Sequence, residues 1–241
     1  MFAHAQYDSL LLVVNDSNKQ DSLAVVSYFL LADQNISRNA IDSALMYSSK
    51  GIDLATKLNL ELAKGKLINQ RAFIYLFYAK NHQKAVNDFI EALAIFEKYN
   101  DQERLIGVYL HLGIANYQLK DFETALVQLK KAEEIASILN SKADLGIIYN
   151  NLSPVLINLN RHNEAIAIYL KAAVFFKELN DELNYSTNRL NFLLTTAKIY
   201  PDSLSNNVNL ITEFKELTQV FKKYSESSSL MNCCYHLGVE Y

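Results

Sequence analysis

Half of the 241 residues of this chain are hydrophobic, which is enough to bury a sizeable core and excludes an intrinsically disordered protein. The 23 basic and 26 acidic residues are interspersed and give a net charge of −3, so the basic stripe typical of a nucleic-acid-binding protein is missing. No run of about 18 or more apolar residues occurs, and the sequence therefore predicts no membrane-spanning helix.

The first 20 residues contain a short pattern that is typical of exported proteins. Ala3-His4-Ala5 places Ala-x-Ala directly before a polar segment, as at the end of a secretory signal, although the charged and apolar parts of such a signal are absent. We expect residues 1–20 to be the residual end of a signal peptide with a lead-in, and the protein to be periplasmic or otherwise extracytoplasmic. The alternative is a chance motif in a cytoplasmic protein.

Internal repeats begin after residue 20 and are marked by two small residues seven positions apart. These pairs are Ala44/Gly51, Ala85/Ala92, Ala125/Ala132 and Ala165/Ala172, and their second members step by 41, 40 and 40 residues. A second marker keeps the same period, since an Asn recurs at Asn59, Asn100, Asn140 and Asn180. Asn tolerates the left-handed conformation that ends a helix, and the residues Asp101, Ser141 and Asp181 that follow are good N-caps. Each marker therefore predicts a helix boundary.

Two helices are expected within each period. In the best-defined period, a first helix covers residues 105–119 and a second covers 122–139, with a polar turn at Lys120-Asp121. Apolar residues recur at helical spacing, as at Leu126, Leu129 and Ile135, and long alternating strands are absent. The pattern predicts antiparallel helix pairs that stack, with small residues where two backbones approach closely.

The spacing of these residues resembles the tetratricopeptide repeat (TPR) family. Leu112-Gly113 followed by Ala125 and Ala132 reproduces its consensus, and Leu152-Ser153 with Ala165 and Ala172 repeats it one period later. Since the usual TPR period is about 34 residues, the longer period here implies longer helices. HEAT and armadillo repeats do have about 40 residues, but they lack the Leu-Gly and double-Ala spacing. The resemblance implies an all-α, right-handed superhelical solenoid over residues 21–241, with approximate repeats 21–59, 60–100, 101–140, 141–180 and 181–225 and a truncated sixth first helix in 226–241.

Three places depart from the regular pattern. Ala72 lies thirteen rather than twelve residues before Ala85, which predicts one extra residue in the turn of the second repeat. Pro201 should end a helix before a loop at residues 203–207, and Leu237-Gly238 then resumes the consensus close to the last residue, Tyr241. We expect further protein downstream, and self-association through the truncated helix is possible. Pro154 lies inside a predicted first helix, where it should remove one hydrogen bond and kink the helix, either shaping the groove or as a tolerated defect.

The sequence carries no catalytic signature. There is no Gly-rich phosphate loop, His-Glu-x-x-His, Cys-x-x-Cys or nucleophile elbow, and the five histidines are spread along the chain. We predict no enzymatic activity, no cofactor and no metal site. Adjacent cysteines on a helix point about 100° apart, so we expect Cys233 and Cys234 to be buried small hydrophobes rather than a disulfide.

The resemblance to TPR proteins implies a binding groove on the concave face, lined by the first helix of each repeat. Its residues would be Asn69, Gln70, Phe73, Leu110, His111, Ile114, Tyr117, Gln118, Asn150, Asn151, Ile157, Asn158 and Asn191. Amides can pair with a peptide backbone as donor and acceptor, and aromatic or apolar side chains can anchor a ligand. The alternative is that the amides bridge neighbouring helices or face water. The Lys, Asn and Arg set of the family's carboxylate clamp is not matched.

These observations predict a non-catalytic protein- or peptide-binding module. A TPR array placed just after an export signal resembles the extracytoplasmic sensory region of bacterial TPR-containing sensor histidine kinases, which implies signalling domains downstream in the same chain. The alternative is a free-standing TPR adaptor or scaffold, or a cytoplasmic peptide-binding regulator.

Overall fold

The structure is a computed structural model that describes residues 2–16, 21–200 and 208–237. All regular structure in these ranges is helical, which confirms the predicted all-α class. In chain order the helices are α1 (Phe2–Asn15), α2 (Ser22–Ser37), α3 (Ile41–Lys57), α4 (Glu61–Phe77), α5 (His82–Lys98), α6 (Gln102–Gln118), α7 (Phe122–Ile138), α8 (Lys142–Asn158), α9 (His162–Glu178), α10 (Glu182–Ile199), α11 (Val208–Lys223) and α12 (Ser227–Leu237).

The helices end where the sequence predicts. Each of the four marker asparagines adopts the left-handed conformation, with φ between 52° at Asn100 and 55° at Asn59. The side chains of Asp101, Ser141 and Asp181 accept hydrogen bonds from backbone N–H groups of the following helix, as expected of N-caps. The turns inside the helix pairs also contain a residue in the left-handed conformation. These residues are Asn39, Lys80, Lys120 and Asn160.

The irregular turn in the second repeat is also confirmed. Residues 78–81 separate α4 from α5, whereas residues 119–121 separate α6 from α7, so the first of these turns is one residue longer. Helix α8 runs through Pro154 from Lys142 to Asn158 without interruption. Pro201, the loop at 203–207, Gly238 and Tyr241 lie outside the described residues.

The chain divides into two compact units, Met1–Ala132 and Glu133–Tyr241, with the boundary inside α7. In the first unit, consecutive helices from α1 to α6 pack against one another, and α4 also contacts α2 and α6. Lys98 at the end of α5 pairs with Glu61 at the start of α4, so these two helices are antiparallel. Helix α1 lies within residues 1–20, the segment predicted as a lead-in, and packs on α2. The guanidinium of Arg38, at the end of α2, is 3.8 Å from the centre of the Tyr7 ring on α1.

The second unit repeats this arrangement with α8, α9 and α10, and then with α11 and α12. Lys142 at the start of α8 pairs with Glu178 at the end of α9, which again marks antiparallel helices. The last helices bury a cluster made of Leu190, Leu193, Phe214, Leu217, Phe221, Leu230, Cys233 and Cys234. Both cysteines are free and buried, as predicted, and burial raises the pKa of the Cys233 thiol to about 11.

The small residues lie where helices meet. Ala85, Ala92, Ala125 and Ala132 are fully buried, as are Ala165 and Ala172 in the second unit. A Cβ atom built on Gly113 of α6 would stand 2.5 Å from Cγ of Leu129 on α7, so the two backbones approach more closely there than an alanine would allow. None of the described helices is long and apolar enough to span a bilayer.

Gly107 gives a first testable prediction. It lies inside α6, and a Cβ atom at this position would meet nothing within 4 Å. We expect Gly107→Ala to raise the free energy of unfolding by about 0.5–1 kcal/mol, because alanine loses less backbone entropy in a helix. Urea unfolding measures the change. Gly65→Ala on α4 is the matched control: its Cβ would lie 2.9 Å from Cγ2 of Ile95, so it should be neutral or destabilising.

Candidate ligand-binding surface

The groove residues predicted in the first unit lie on α4 and α6 and differ in exposure. Gln70 and Leu110 are buried, with 6% and 8% of their surface accessible. Gln118 is exposed, and the remaining five are partly exposed: Asn69, Phe73, His111, Ile114 and Tyr117. Where they are accessible, these eight residues therefore offer mainly aromatic and apolar side chains, with one imidazole and few free amides.

His111 is the centre of an aromatic cluster formed with Phe73, Phe77 and Phe89. Its ring lies edge-on to Phe73 and Phe77, with centres 5.5 and 5.6 Å away, and stacks on Phe89 at 5.5 Å. The Nδ1 atom is buried without a hydrogen-bond partner among the described residues. Burial lowers the pKa of His111 to about 4, so the imidazole is neutral at pH 7.

Gln70 uses both ends of its amide inside the first unit. Its Nε2 donates to the Phe29 carbonyl oxygen at 3.0 Å and to Asp33 Oδ1 at 3.2 Å, and its Oε1 accepts from Ser48 Oγ at 3.3 Å. This amide ties α4 to α2 and α3. Asn69, its neighbour, differs because its Oδ1 is buried with no hydrogen-bond partner in the described part of the chain.

The groove residues predicted in the second unit form a set of asparagines on α8 and α10. Asn150 Oδ1 accepts from Nδ2 of Asn191 at 3.5 Å and from Nδ2 of Asn188 at 3.4 Å. Asn151 and Asn158 each donate from Nδ2 to a carbonyl oxygen four residues earlier, at 2.8 Å. One N–H and the Oδ1 atom of these two amides remain for another partner.

Ile157 and Asn158 stand apart from the other asparagines. They line a cavity of about 580 Å³ together with Asn160, His162, Lys198 and Ile199. The structure therefore separates the predicted set into a mainly aromatic surface in the first unit and, in the second, an amide group plus a cavity. Throughout residues 2–16, 21–200 and 208–237, no cluster of three or more His, Cys, Asp or Glu side chains is placed to hold a metal ion.

Sequence reasoning missed three residues of the aromatic and amide groups, and also Asn160, His162, Lys198 and Ile199 of the cavity. Phe77 lies one helical turn after Phe73, and Asn188 one turn before Asn191, so helical spacing alone could have included both. Phe89 had no such signal, because it belongs to a second helix, α5, and reaches His111 of α6 only through packing.

Comparison with known proteins supports the repeat assignment. Tetratricopeptide repeat models match residues 65–138 and 147–173. No curated protein matches the chain.

Solved structures share the fold at low sequence identity. A Rap protein complexed with Competence and Sporulation Factor has a TM-score of 0.72 and 16% identity, over 88% of this chain and 58% of that one. The apo form of the quorum sensor NprR from B. thuringiensis has a TM-score of 0.75 and 17% identity, over 97% and 64%. BtubC from P. vanneervenii has a TM-score of 0.65 and 17% identity, over 98% and 87%. This chain thus spans less than two thirds of the Rap and NprR chains. The chain thus has a TPR-like helix-pair fold, and tetratricopeptide repeat models match its residues 65–138 and 147–173.

Proposed function

We propose that this chain is a non-catalytic module that binds extended polypeptide, and that each unit has its own binding surface, formed by exposed side chains of α4 and α6 in the first unit and of α8 and α10 in the second. The observation that carries the proposal is the character of these side chains: a partly exposed aromatic cluster on one unit and asparagines with unused amide groups on the other. Aromatic side chains supply anchoring area, and amides match the alternating donors and acceptors of a peptide backbone.

Two of the similar structures are consistent with this proposal. The Rap protein was crystallised with the Competence and Sporulation Factor bound, and NprR is a quorum sensor. We infer for this chain a ligand-sensing role as the input region of a larger signalling protein, which includes the sensor histidine kinase arrangement expected from the sequence. The competing role is a TPR adaptor that joins other proteins.

The full gene and the location of the protein distinguish these roles. A sensor kinase requires a membrane span and a kinase region downstream of residue 241. The repeat region, residues 21–241, would then lie outside the cytoplasm. Fractionation of cells that express the natural protein, with an antibody against this region, should then place it in the extracytoplasmic fraction. Recovery from the cytosol without a kinase region would favour the adaptor or regulator.

The binding surface is tested with peptides selected from a displayed library of random sequences. We expect Tyr117→Ala and Asn151→Ala each to weaken selected peptides about tenfold or more, as is typical of anchoring residues. Fluorescence anisotropy measures the affinity, and the melting temperature should stay within a few degrees of the wild type. Glu134→Ala, on the exposed face of α7, is the control and should bind normally. Wild-type affinity in both test variants would remove these helices as the binding surface.

A further inference from the structure

The aromatic cluster of the first unit leaves part of its surface open. Phe89 of α5 is fully buried and forms the base of the cluster. Phe73 and Phe77 of α4 and His111 of α6 are partly exposed. Ile114, one helical turn after His111, is partly exposed as well. Two helices therefore present phenylalanine rings and one imidazole side by side, on the face where the sequence predicts a groove.

One ring nitrogen of His111 is a hydrogen-bond donor without a partner among the described residues. Nδ1 is buried and unpaired, and a proton there would make an orphaned buried N–H, which proteins avoid, so the neutral imidazole carries its proton on Nε2. No described residue makes a hydrogen bond with Nε2. Because Nδ1 is buried in a partly exposed residue, the accessible edge of the ring is the one that carries Nε2. Ring contacts with Phe73, Phe77 and Phe89 fix the direction of this N–H.

Acceptors are lacking beside this donor. The three rings in contact with His111 carry no strong hydrogen-bond acceptor, and backbone carbonyls in the middle of α4 and α6 are used by the helices themselves. The neighbouring amides of α4 offer none either, since Asn69 Oδ1 is buried and Gln70 Oε1 accepts from Ser48. A ligand that covers the cluster must therefore supply an acceptor to Nε2, and any N–H that it brings to the rings stays unpaired.

Proline is the residue of a polypeptide that meets both conditions. It has a carbonyl oxygen but no backbone N–H, and its ring is apolar. In an extended segment the N–H and the C=O of one residue point to the same side, so any other residue that directs its carbonyl oxygen at His111 also directs an N–H at the rings. An apolar side chain laid over the cluster would instead leave the Nε2–H of His111 unpaired. Either fault lowers affinity about tenfold or more.

We propose that Phe73, Phe77 and His111 form a subsite for a proline residue of a polypeptide ligand. The proline ring lies on the phenylalanine side chains, and its carbonyl oxygen accepts from Nε2–H of His111. Successive prolines favour the polyproline II conformation, which aromatic-lined grooves bind at a low entropy cost, so a proline-rich segment fits best. The inference rests on the proposed function, for which it names the ligand residue that the first unit recognises.

Four pentapeptides test the two conditions. Each is acetylated and amidated, with alanine at every position except the third, which is proline, alanine, leucine or N-methylalanine. N-methylalanine lacks the N–H without carrying a ring. In protein labelled with ¹⁵N-histidine, the proline peptide should shift the Nε2 signal of His111 in a saturable manner, and His111→Phe assigns that signal. The alanine and leucine peptides should bind about tenfold more weakly, and the N-methylalanine peptide should bind better than the alanine peptide.

Variants assign the effect to the cluster. His111→Phe keeps an aromatic ring and removes the donor, and Phe77→Leu removes an aromatic face, so each should weaken the proline peptide about fivefold or more. Their affinities are measured on the ¹³C-labelled methyl signals of Ile114. Ile90→Ala removes an exposed apolar side chain from α5 and should leave binding unchanged. A melting temperature within a few degrees of the wild type shows that a variant is folded, and Phe77→Leu carries the test if His111→Phe does not fold.

Several results would overturn the subsite. These are an unchanged His111 signal with the proline peptide, equal affinity for the alanine peptide, and wild-type affinity in the folded variants of the cluster. An N-methylalanine peptide that binds no better than the alanine peptide would contradict the role of the missing N–H. A ¹⁵N shift that places the proton of the free protein on Nδ1 would remove the donor itself.

These results are separable from a failure of the proposed function. If library peptides bind while the proline peptide leaves the His111 signal in place, the proline subsite is wrong and the peptide-binding surface stands. If no library peptide binds while the proline peptide still shifts the His111 signal, the proline site stands and the extended surface is wrong.

Discussion

Leu129→Ala should lower the free energy of unfolding by about 2–5 kcal/mol, because it removes a fully buried side chain from the contact between α6 and α7. Gly113→Ala should lower the free energy of unfolding by about 1–3 kcal/mol, because it adds a methyl group where the packed helices leave no room for one. The added methyl carbon would lie 2.5 Å from Cγ and 2.7 Å from Cδ2 of Leu129, which is too close for either residue to keep its position.

The two changes should compensate when they are combined. In the Leu129→Ala background the new methyl group of Gly113→Ala has room, so the double variant should be more stable than the sum of the single effects predicts. Urea unfolding of the wild type, both single variants and the double variant measures this coupling. Strict additivity would contradict the close contact between Gly113 and Leu129.

The second large effect concerns the stability of the first unit in acid. Burial lowers the pKa of His111 from its ordinary value of 6.5 to about 4. The unfolded chain therefore takes up a proton as the pH falls below 6.5, while the folded chain resists it until the pH is near 4. The stabilisation due to neutral His111 is complete above pH 6.5 and is lost as the pH falls toward 4. At 1.36 kcal/mol per pKa unit, this loss is roughly 2–3 kcal/mol between pH 7 and pH 4.5.

A titration of stability against pH isolates this contribution. In urea unfolding, the loss of stability between pH 7 and pH 4.5 should be roughly 2–3 kcal/mol smaller in His111→Leu than in the wild type. Phe89→Leu is the control, since it disturbs the same aromatic cluster without removing a titrating group. It should lower stability by about 1 kcal/mol at both pH values. Equal pH dependence in the wild type and His111→Leu would show that the imidazole is charged, or exposed, in the folded protein.

Much of the fold could be predicted because local sequence determines it. The asparagines at Asn100 and Asn140 adopt the left-handed conformation that their backbone tolerates, and the residues after them cap the next helix. The spacing of Ala72 and Ala85 predicted even the extra residue in the turn between α4 and α5. Such signals are short-range, so no tertiary information is needed to read them.

The candidate binding surface was less predictable, because the environment of a side chain depends on helices that are distant in sequence. Gln70 has an amide suited to a ligand, yet its three hydrogen bonds join it to Phe29, Asp33 and Ser48, which no spacing rule relates to it. Lys198 and His162 share a cavity although they lie on different helices and belong to no motif. The signal peptide and the truncated sixth repeat stay predictions.

The ion pairs that join Glu61 to Lys98 and Glu182 to Lys223 have a consequence for the surroundings this protein can tolerate. In each, a tyrosine next to the lysine also donates to the carboxylate, so the same three-residue link occurs once in each unit. All four charged side chains lie in water, where salt screens their attraction and where such pairs add little to stability. The helix pairs are held by buried alanines and aromatic rings that ions do not weaken. A change from dilute to saline medium should therefore cost the folded repeats little through these two links.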